Sequence, residues 1–272
     1  NSGELTNITT SSRNRAHELI EECMLSANLA VGRLLKEAGV PIIYRCHNLP
    51  DPEKVLQLQQ YLKMHDLSIP STPHASDFQA AIEGSKGLPD ADAVEMMVLR
   101  TLPQAYYGTD DAFHFALSFE YYTHFTSPIR RYVDLTVHRA IVSMLDHKES
   151  DVDRLSEVAK ICTQRERQAD EASWYVHGWL KSKFIEPKVG QVFPAVITSI
   201  THFGMFVRMD DLPVEGMIHV SALGNEFFHY DADIMSLHGG TSGRYYSLGD
   251  RVTVRLVKVD LVNQKVDFAM AE

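Results

Sequence analysis

The stretch HFTSPIRRYVDLTVHRAI, from His124 to Ile141, sets three arginines, an aspartate, a tyrosine and a histidine after a Ser-Pro pair. Ser-Pro is a helix-start signal, with Ser127 as cap and Pro128 in the first helical position. A helix from Pro128 to Asp146 would repeat Arg130, Asp134 and His138 every four residues along one face. Ile129, Val133, Ala140, Ile141 and Met144 would then pack inward. Unpaired N–H groups and the dipole at such a helix start favour an anion. Arg130 adds a planar, two-pronged donor for phosphate oxygens. Asp134 would orient that guanidinium or accept from a sugar hydroxyl. The spacing fits equally well a solvated ladder of ion pairs, worth roughly 0.2–0.5 kcal/mol each. The preceding YYTHF turns the reading toward nucleic acid, because aromatic rings beside cations suit the stacking of bases.

The totals set bounds on that reading. A chain of 272 residues holds one or two domains with a real core. Its formal charge of −10 argues against a nonspecific polyanion binder, so any basic residues that grip nucleic acid must be gathered locally. No apolar run approaches the roughly 20 residues of a membrane span, and we expect no membrane association. Cys23, Cys46 and Cys162 are few, odd in number and far apart, which points to reduced thiols in the cytoplasm. The polar lead NSGELTNITT carries no export signal and reads as the interior of a longer protein.

The elements that must position the stretch follow from pattern. SSRNRAHELIEECMLSANLAVGRLLKEAG reads as one long helix, capped by Ser11 or Ser12 and stopped at Gly39. Ala16, Leu19, Ile20, Cys23, Ala27, Ala30, Val31, Leu34 and Leu35 form its predicted buried face, while Glu21 and Asn28 share another. PIIYRCH is a short strand. Asp51 and Pro52 open a second helix, and shorter ones follow at Ser76 to Ser85 and Ala91 to Leu102. DAFHFALSFEYYTHF is extended. A last long helix runs from about Asp151 to Phe184. At Pro187 the pattern changes to alternating β-branched and apolar residues punctuated by Gly and Pro. Three strands and then two more are predicted, separated by an aromatic, His- and Gly-rich insert from Asn225 to Ser247. Five short strands in so few residues favour a closed barrel.

HFTSPIRRYVDLTVHRAI closely resembles the signature of the ribonuclease II and ribonuclease R family of 3′→5′ exoribonucleases, which carry a so-called RNB nuclease domain. AHELIEECMLSANLAV, YRCHNLPDPEKVLQL and RERQADEASWYVHGWLKSKF extend the likeness over nearly the whole chain, and SLGDRVTVRL is most like ribonuclease R. The resemblance implies an α+β chain. Residues 1–186 would be the helix-rich C-terminal portion of the RNB catalytic domain, and residues 187–272 an all-β OB-fold of S1 type. It gives Arg130 a role at the scissile phosphate and Glu171 an acidic position near the RNA end. Glu21 or Glu22 would contact the sugar, with Asn28 on the same helix. Tyr44 and Arg45 of YRCH, and His124, Ser127, Arg131, Tyr132, Asp134 and His138, complete the RNA-binding set of this half. In the family a cluster of aspartates holds Mg²⁺. Nothing in this chain matches it: Asp110-Asp111 and Asp210-Asp211 are only acidic pairs in turns. The implied Mg²⁺ would be bound by residues upstream of this chain.

GQVFPAVITSITHFGMFVRM and GMIHVSAL resemble an S1-type RNA-binding domain. Phe203, Phe206 and His219 would form a base-stacking face on adjacent strands, extended by Phe193 unless that ring belongs to the barrel core. Where such domains place a basic residue after a strand-four Asp, DLVNQKV has a turn one residue longer, so Lys265 supplies the charge. His229 and His238 lack metal spacing and read as surface residues. The resemblance thus implies part of a processive, hydrolytic, Mg²⁺-dependent exoribonuclease. It would release nucleoside 5′-monophosphates from single-stranded RNA, including the 3′ ends of structured RNA, and act as a monomer. One alternative is a non-catalytic RNA-binding module or inactive fragment. Another makes the barrel and its insert a docking surface for ribosomes or helper proteins.

Overall fold

A computed structural model describes residues 5–9, 13–88, 91–110, 113–148, 154–232 and 234–271. In chain order the elements are α1 (Arg15–Glu37), β1 (Tyr44–Cys46), α2 (Pro52–Lys63), α3 (Ala75–Ser85), α4 (Ala91–Thr101), β2 (Tyr106–Gly108), β3 (Phe113–His114), β4 (Phe119–Glu120), α5 (Tyr132–Leu145), α6 (Leu155–Ile185), β5 (Val192–Thr201), β6 (Gly204–Met209), β7 (Glu215–His219), β8 (Phe228–Asp231), β9 (Ser236–Gly239), β10 (Tyr245–Tyr246), β11 (Arg251–Asp260) and β12 (Lys265–Met270). They sort into two compact units that alternate along the sequence. One comprises residues 12–51 and 102–171, the other 1–11, 52–101 and 172–272.

In the first unit, α1 is capped by Asn14, whose side chain accepts from the N–H groups of Ala16 and His17. The predicted caps Ser11 and Ser12 lie outside the described residues. Gly39 ends the helix region in the left-handed conformation (φ 69°) that glycine adopts without strain. Only the C-terminal end of the predicted apolar face is buried, Leu35 fully and Val31 in part. Leu19 and Ile20 are 65% and 60% exposed, and Cys23 is exposed too, whereas Asn28, Gly32 and Leu35 are buried. Close backbone approach explains the choice. A Cβ on Gly32 would stand 1.8 Å from the carbonyl oxygen of Tyr121, so only glycine lets the helix lie on this segment. Tyr44, Leu35, Ile42, Val137 and Ala140 make one apolar cluster there. Ile43, Tyr107, Val133 and Ala159 make a second. The strands β1 and β2 pair antiparallel, with Arg45 opposite Tyr107.

In the second unit, β11-β12-β7-β6-β5 close into a barrel, and these are the five strands expected from the sequence. Alternation places Ala195, Ile197, Met205, Val207, Ile218, Val254, Leu256, Val266 and Phe268 inside, each nearly inaccessible. Each large aliphatic so buried contributes about 1.5–3 kcal/mol. The insert forms its own three-stranded antiparallel sheet, β10-β9-β8, which the sequence did not betray. The helices α2, α3 and α4 belong to this unit. Arg100 of α4 donates to the carbonyl of Thr198 on β5, and Asp92 pairs with Arg208 of β6.

Candidate functional site

The opening stretch folds around one carboxylate. Asp134 is fully buried, and its two oxygens accept from Arg131 Nε and Nη2, both at 2.8 Å. Its Oδ1 also accepts from the Ser127 backbone N–H at 2.7 Å. These bonds pull residues 127–131 into a turn, in which the N–H groups of Arg130 and Arg131 donate to Ser127 O. The helix therefore begins at Tyr132, four residues later than predicted, with Arg131 rather than Ser127 at the cap position. Three expectations change with that shift. Asp134 orients Arg131, not Arg130. Ile129 is fully exposed instead of packing inward. His138 does not continue an ionic row: it stacks on Phe125 at 4.3 Å and bonds the Phe125 carbonyl through Nε2 at 2.9 Å. Arg130 is left exposed, beside a guanidinium whose geometry is locked.

The predicted start of the next helix, Asp151, lies outside the described residues. Along α6, the residues facing back recur with helical spacing and close a cleft of about 440 Å³. Arg130 and Arg131 line one side, Arg165, Glu166 and Asp170 the other, and Tyr107 its floor. Arg45 reaches Glu166 at 2.5 Å while its guanidinium lies 4.7 Å from the Tyr107 ring centre. Tyr107 is held by its N–H on Thr163 Oγ1 and by its hydroxyl on His124 Nδ1, both at 2.9 Å. Burial pushes His124 down to about 3, assisted by the Arg131 and Arg45 charges. His114 is lowered in the same way to about 4, by burial and by His47. Both imidazoles are neutral at pH 7. The net result is a concave surface lined by three guanidiniums, Arg130, Arg131 and Arg165, and by the carboxylates of Glu166 and Asp170. Thr126 Oγ1, buried just before the turn, has no hydrogen-bond partner among the described residues.

Glu171 follows Asp170 as an exposed carboxylate on α6, and it is not among the residues closing the cleft. Glu21 and Glu22 are both exposed on α1, and Glu21 is paired with Arg13 at 2.5 Å. Two predicted RNA contacts are structural instead. Asn28 is 2% exposed and spends its amide on Tyr122 Oη and on the Phe125 N–H. Tyr44 is buried against Tyr121, and burial raises its hydroxyl pKa. Tyr132 is half exposed, with Arg139 over its ring at 5.9 Å. Arg165, Glu166 and Tyr107 were missed by the sequence reading. The i to i+1 charge reversals of QRERQADE hid which of its charges faces inward.

On the barrel, Phe203 and Phe206 meet edge to face at 6.2 Å, and His219 lies one strand away, opposite Gly204. Gly204 has φ 154°, and a Cβ there would stand 2.2 Å from the Ile218 carbonyl oxygen, so glycine is required for this approach. His219 holds Ser221 through Nδ1. Phe193 is half-buried on β5. Lys265 is exposed where β12 leaves a turn held by Asp260, which accepts from the N–H groups of Val262 and Asn263. Register adds two neighbours the sequence reading did not name: Met217 lies opposite Phe206, and Asp267 opposite Met217.

Among the described residues no group of three or more His, Cys, Asp or Glu side chains is arranged to hold a metal ion. Asp210 is tied to Arg251 at 2.7 Å, and Asp111 lies outside the described residues. The residues at hand therefore do not make a Mg²⁺ site. Among them, too, no helix is long and apolar enough to cross a membrane.

The model of the RNB domain matches residues 1–147, and that of the S1 RNA binding domain matches residues 186–271. Ribonuclease R of Escherichia coli (strain K12) is 38% identical over 278 residues, covering 97% of this chain and 34% of that protein. Ribonuclease R of Thermotoga maritima is 35% identical, covering 99% of this chain and 39% of that protein. The chain thus spans between a third and two-fifths of the length of these curated relatives. The apo form of Mycoplasma genitalium RNase R superposes with a TM-score of 0.89 at 26% identity, covering 96% of this chain and 42% of that one. The same enzyme in complex with ribose methylated single-stranded RNA gives 0.87, at the same identity and coverage. With the RNB match spanning more than half of its residues and the S1 match following, the chain belongs to the RNB family, most like ribonuclease R, and carries an S1 RNA-binding domain.

Proposed function

We propose that this chain is the RNA-holding part of a 3′→5′ exoribonuclease that hydrolyses single-stranded RNA to nucleoside 5′-monophosphates. The observation that carries the reading is the arginine-lined cleft, in which Arg131 is anchored by a buried carboxylate and Arg130 is exposed beside it. A guanidinium that is locked before the ligand arrives loses little freedom on binding, so it positions a phosphate as well as attracting it. In this reading Arg130 contacts the phosphate of the last linkage and stabilises charge that develops on it. Neutral His124 holds Tyr107, and through its ring the Arg45–Glu166 pair, without adding a proton that would shift with pH near neutrality. On the barrel, Phe203, Phe206 and His219 offer flat faces to unpaired bases, whatever their identity, with Lys265 near the backbone. Such sequence tolerance is what a processive enzyme needs.

In the complete enzyme Mg²⁺ would be held by carboxylates of residues upstream of this chain. The three cysteines are free thiols, which fits the cytoplasm in which we place the protein. A second reading is favoured by the lack of a metal cluster among the described residues: taken alone, this chain binds RNA without cutting it. One experiment tests the RNA-holding role that both readings share, and whether this chain cuts. The chain is incubated with 5′-labelled single-stranded RNA and Mg²⁺, with and without chelator, and run on denaturing and native gels. Retarded but intact RNA is the expected outcome for this chain. A ladder shortening from the 3′ end would place the metal carboxylates within it, and RNA neither cut nor retarded would refute the RNA-holding role.

A further inference from the structure

We infer that the outer face of the insert sheet is a second stacking surface for unpaired RNA bases, separate from the barrel face. This rests on the reading of the chain as an RNA binder and extends it to a place no motif marks.

The sheet alternates cleanly. On its inner side Tyr230 lies opposite Leu237 and Leu237 opposite Tyr246, with Phe228 and Leu237 almost inaccessible. On its outer side His229 lies opposite His238, and His238 opposite Tyr245, so three rings form a row across three strands. Phe227, two residues before His229 and therefore on the same side, is 71% exposed. It meets His229 at 4.8 Å with planes at 78°, and His238 meets Tyr245 at 4.5 Å with planes at 63°. The edge-on pairing matters, because it leaves ring faces open to solvent instead of consuming them against one another. Beyond Phe227 the facing chain is Gly239-Gly240, the latter donating to the Phe227 carbonyl, and glycines bring no side chain over the phenyl ring.

An exposed cluster of rings of this kind needs an occupant. The chemistry of the patch favours bases over a protein. The outward side chains Phe227, His229, His238 and Tyr245 are all rings, with Asp231 opposite Ser236 at the end of the row, and none is a leucine, isoleucine, valine or methionine. Two of the four carry ring nitrogens and one a hydroxyl, groups that can meet the edges of heteroaromatic bases. At the far end stands the exposed Asp231 carboxylate, and near the turn lie Glu226, held by Ser242 and Thr241, and Arg244, which donates to the Leu223 carbonyl. With strands about 4.8 Å apart, the row is wide enough for about two bases.

The test measures the affinity of a fluorescent single-stranded oligonucleotide for the full chain in chelator, by anisotropy. Paired variants are compared: Phe227→Leu with Tyr245→Leu, which keep apolar bulk but remove the ring faces, and His229→Ala with His238→Ala. Phe203→Ala with Phe206→Ala serves as the barrel control, and far-ultraviolet circular dichroism checks that each variant folds. The expected result is roughly a tenfold loss of affinity for each insert pair, with a blunt duplex unaffected. Full affinity in both insert pairs, while the barrel pair weakens binding, would overturn the inference alone and leave the face to a protein partner. A wild-type chain that binds no single strand would remove the underlying reading and this one with it.

Discussion

Under the proposed function, the arginine cleft and the barrel face would handle the same kind of ligand by opposite means. In the cleft the charged groups are fixed in advance: Arg131 by buried Asp134, Arg45 by Glu166, and Tyr107 by His124 and Thr163. On the barrel, Phe203 meets its neighbour His202 at 5.2 Å and Phe206 at 6.2 Å, both edge to face. The first arrangement suits a single phosphate at a single place. The second suits whatever base arrives. The difference teaches that mutations in the cleft should damage folding or turnover, while mutations on the barrel should damage affinity and leave the rest intact.

Asp134→Ala should have the largest effect of any single change. It removes the carboxylate that holds Arg131 and the Ser127 N–H, leaving a guanidinium half-buried and unpaired. A loss of about 3–5 kcal/mol of stability is expected, read by denaturant unfolding, and a loss under about 1 kcal/mol would show that the turn holds itself. Arg130→Ala comes next. In the complete enzyme it should cut turnover about 10²- to 10³-fold with little change in RNA affinity, since Arg130 is exposed and holds up no part of the fold. Equal losses in turnover and affinity would erase the distinction between the two regions. Phe203→Ala with Phe206→Ala should show the reverse, weakening binding by about 1–3 kcal/mol per stacked base while single-turnover cleavage of bound RNA is preserved.

Acid should also tell the regions apart. The folded pKa values of His124 and His114 lie at about 3 and about 4, below the ordinary imidazole value. The unfolded chain therefore binds more protons than the folded one at pH values between those and about 6.5. Their contribution is complete above about 6.5 and declines as pH falls toward 4 and then 3. Thermal melts across that window should fall in the wild-type chain and fall less steeply in His124→Gln. Lys265→Ala is the mildest change, expected only to lower the salt dependence of binding by about one unit of slope.

What could be read from the sequence depended on which physical signal each element carries. The barrel strands announce themselves by alternation and by Gly and Pro punctuation, and the start of α2 by Asp51-Pro52. The face of α1 was misread because hydropathy finds Leu19 and Ile20, whereas the buried stripe is built on Asn28 and Gly32. An amide that satisfies two partners and a missing Cβ are invisible to an apolar pattern. The Arg131–Asp134 pair was missed for a geometric reason. Moving a helix start by four residues frees the preceding turn, and an adjacent arginine then becomes the one in reach. The insert strands are only two to four residues long, too short for alternation to stand out. The cleft residues of α6 were hidden because a helix charged on several sides does not say which charges face inward.

The interleaving of the two units has a consequence for how the chain is made. Residues 12–51 cannot complete their unit until residues 102–171 have been synthesised, and residues 52–101 must wait for those after 171. Contacts such as Gly32 with Tyr121, or Arg100 with Thr198, join segments some ninety residues or more apart. Pairings so distant in sequence are slow to form, because a long loop must be closed before any contact rewards it. During translation, helices α2 to α4 would emerge without their partners and α1 without its seat. A chain cut just before the barrel would thus leave α4 without the strands that its Arg100 and Asp92 meet, and would offer chaperones and proteases an open target.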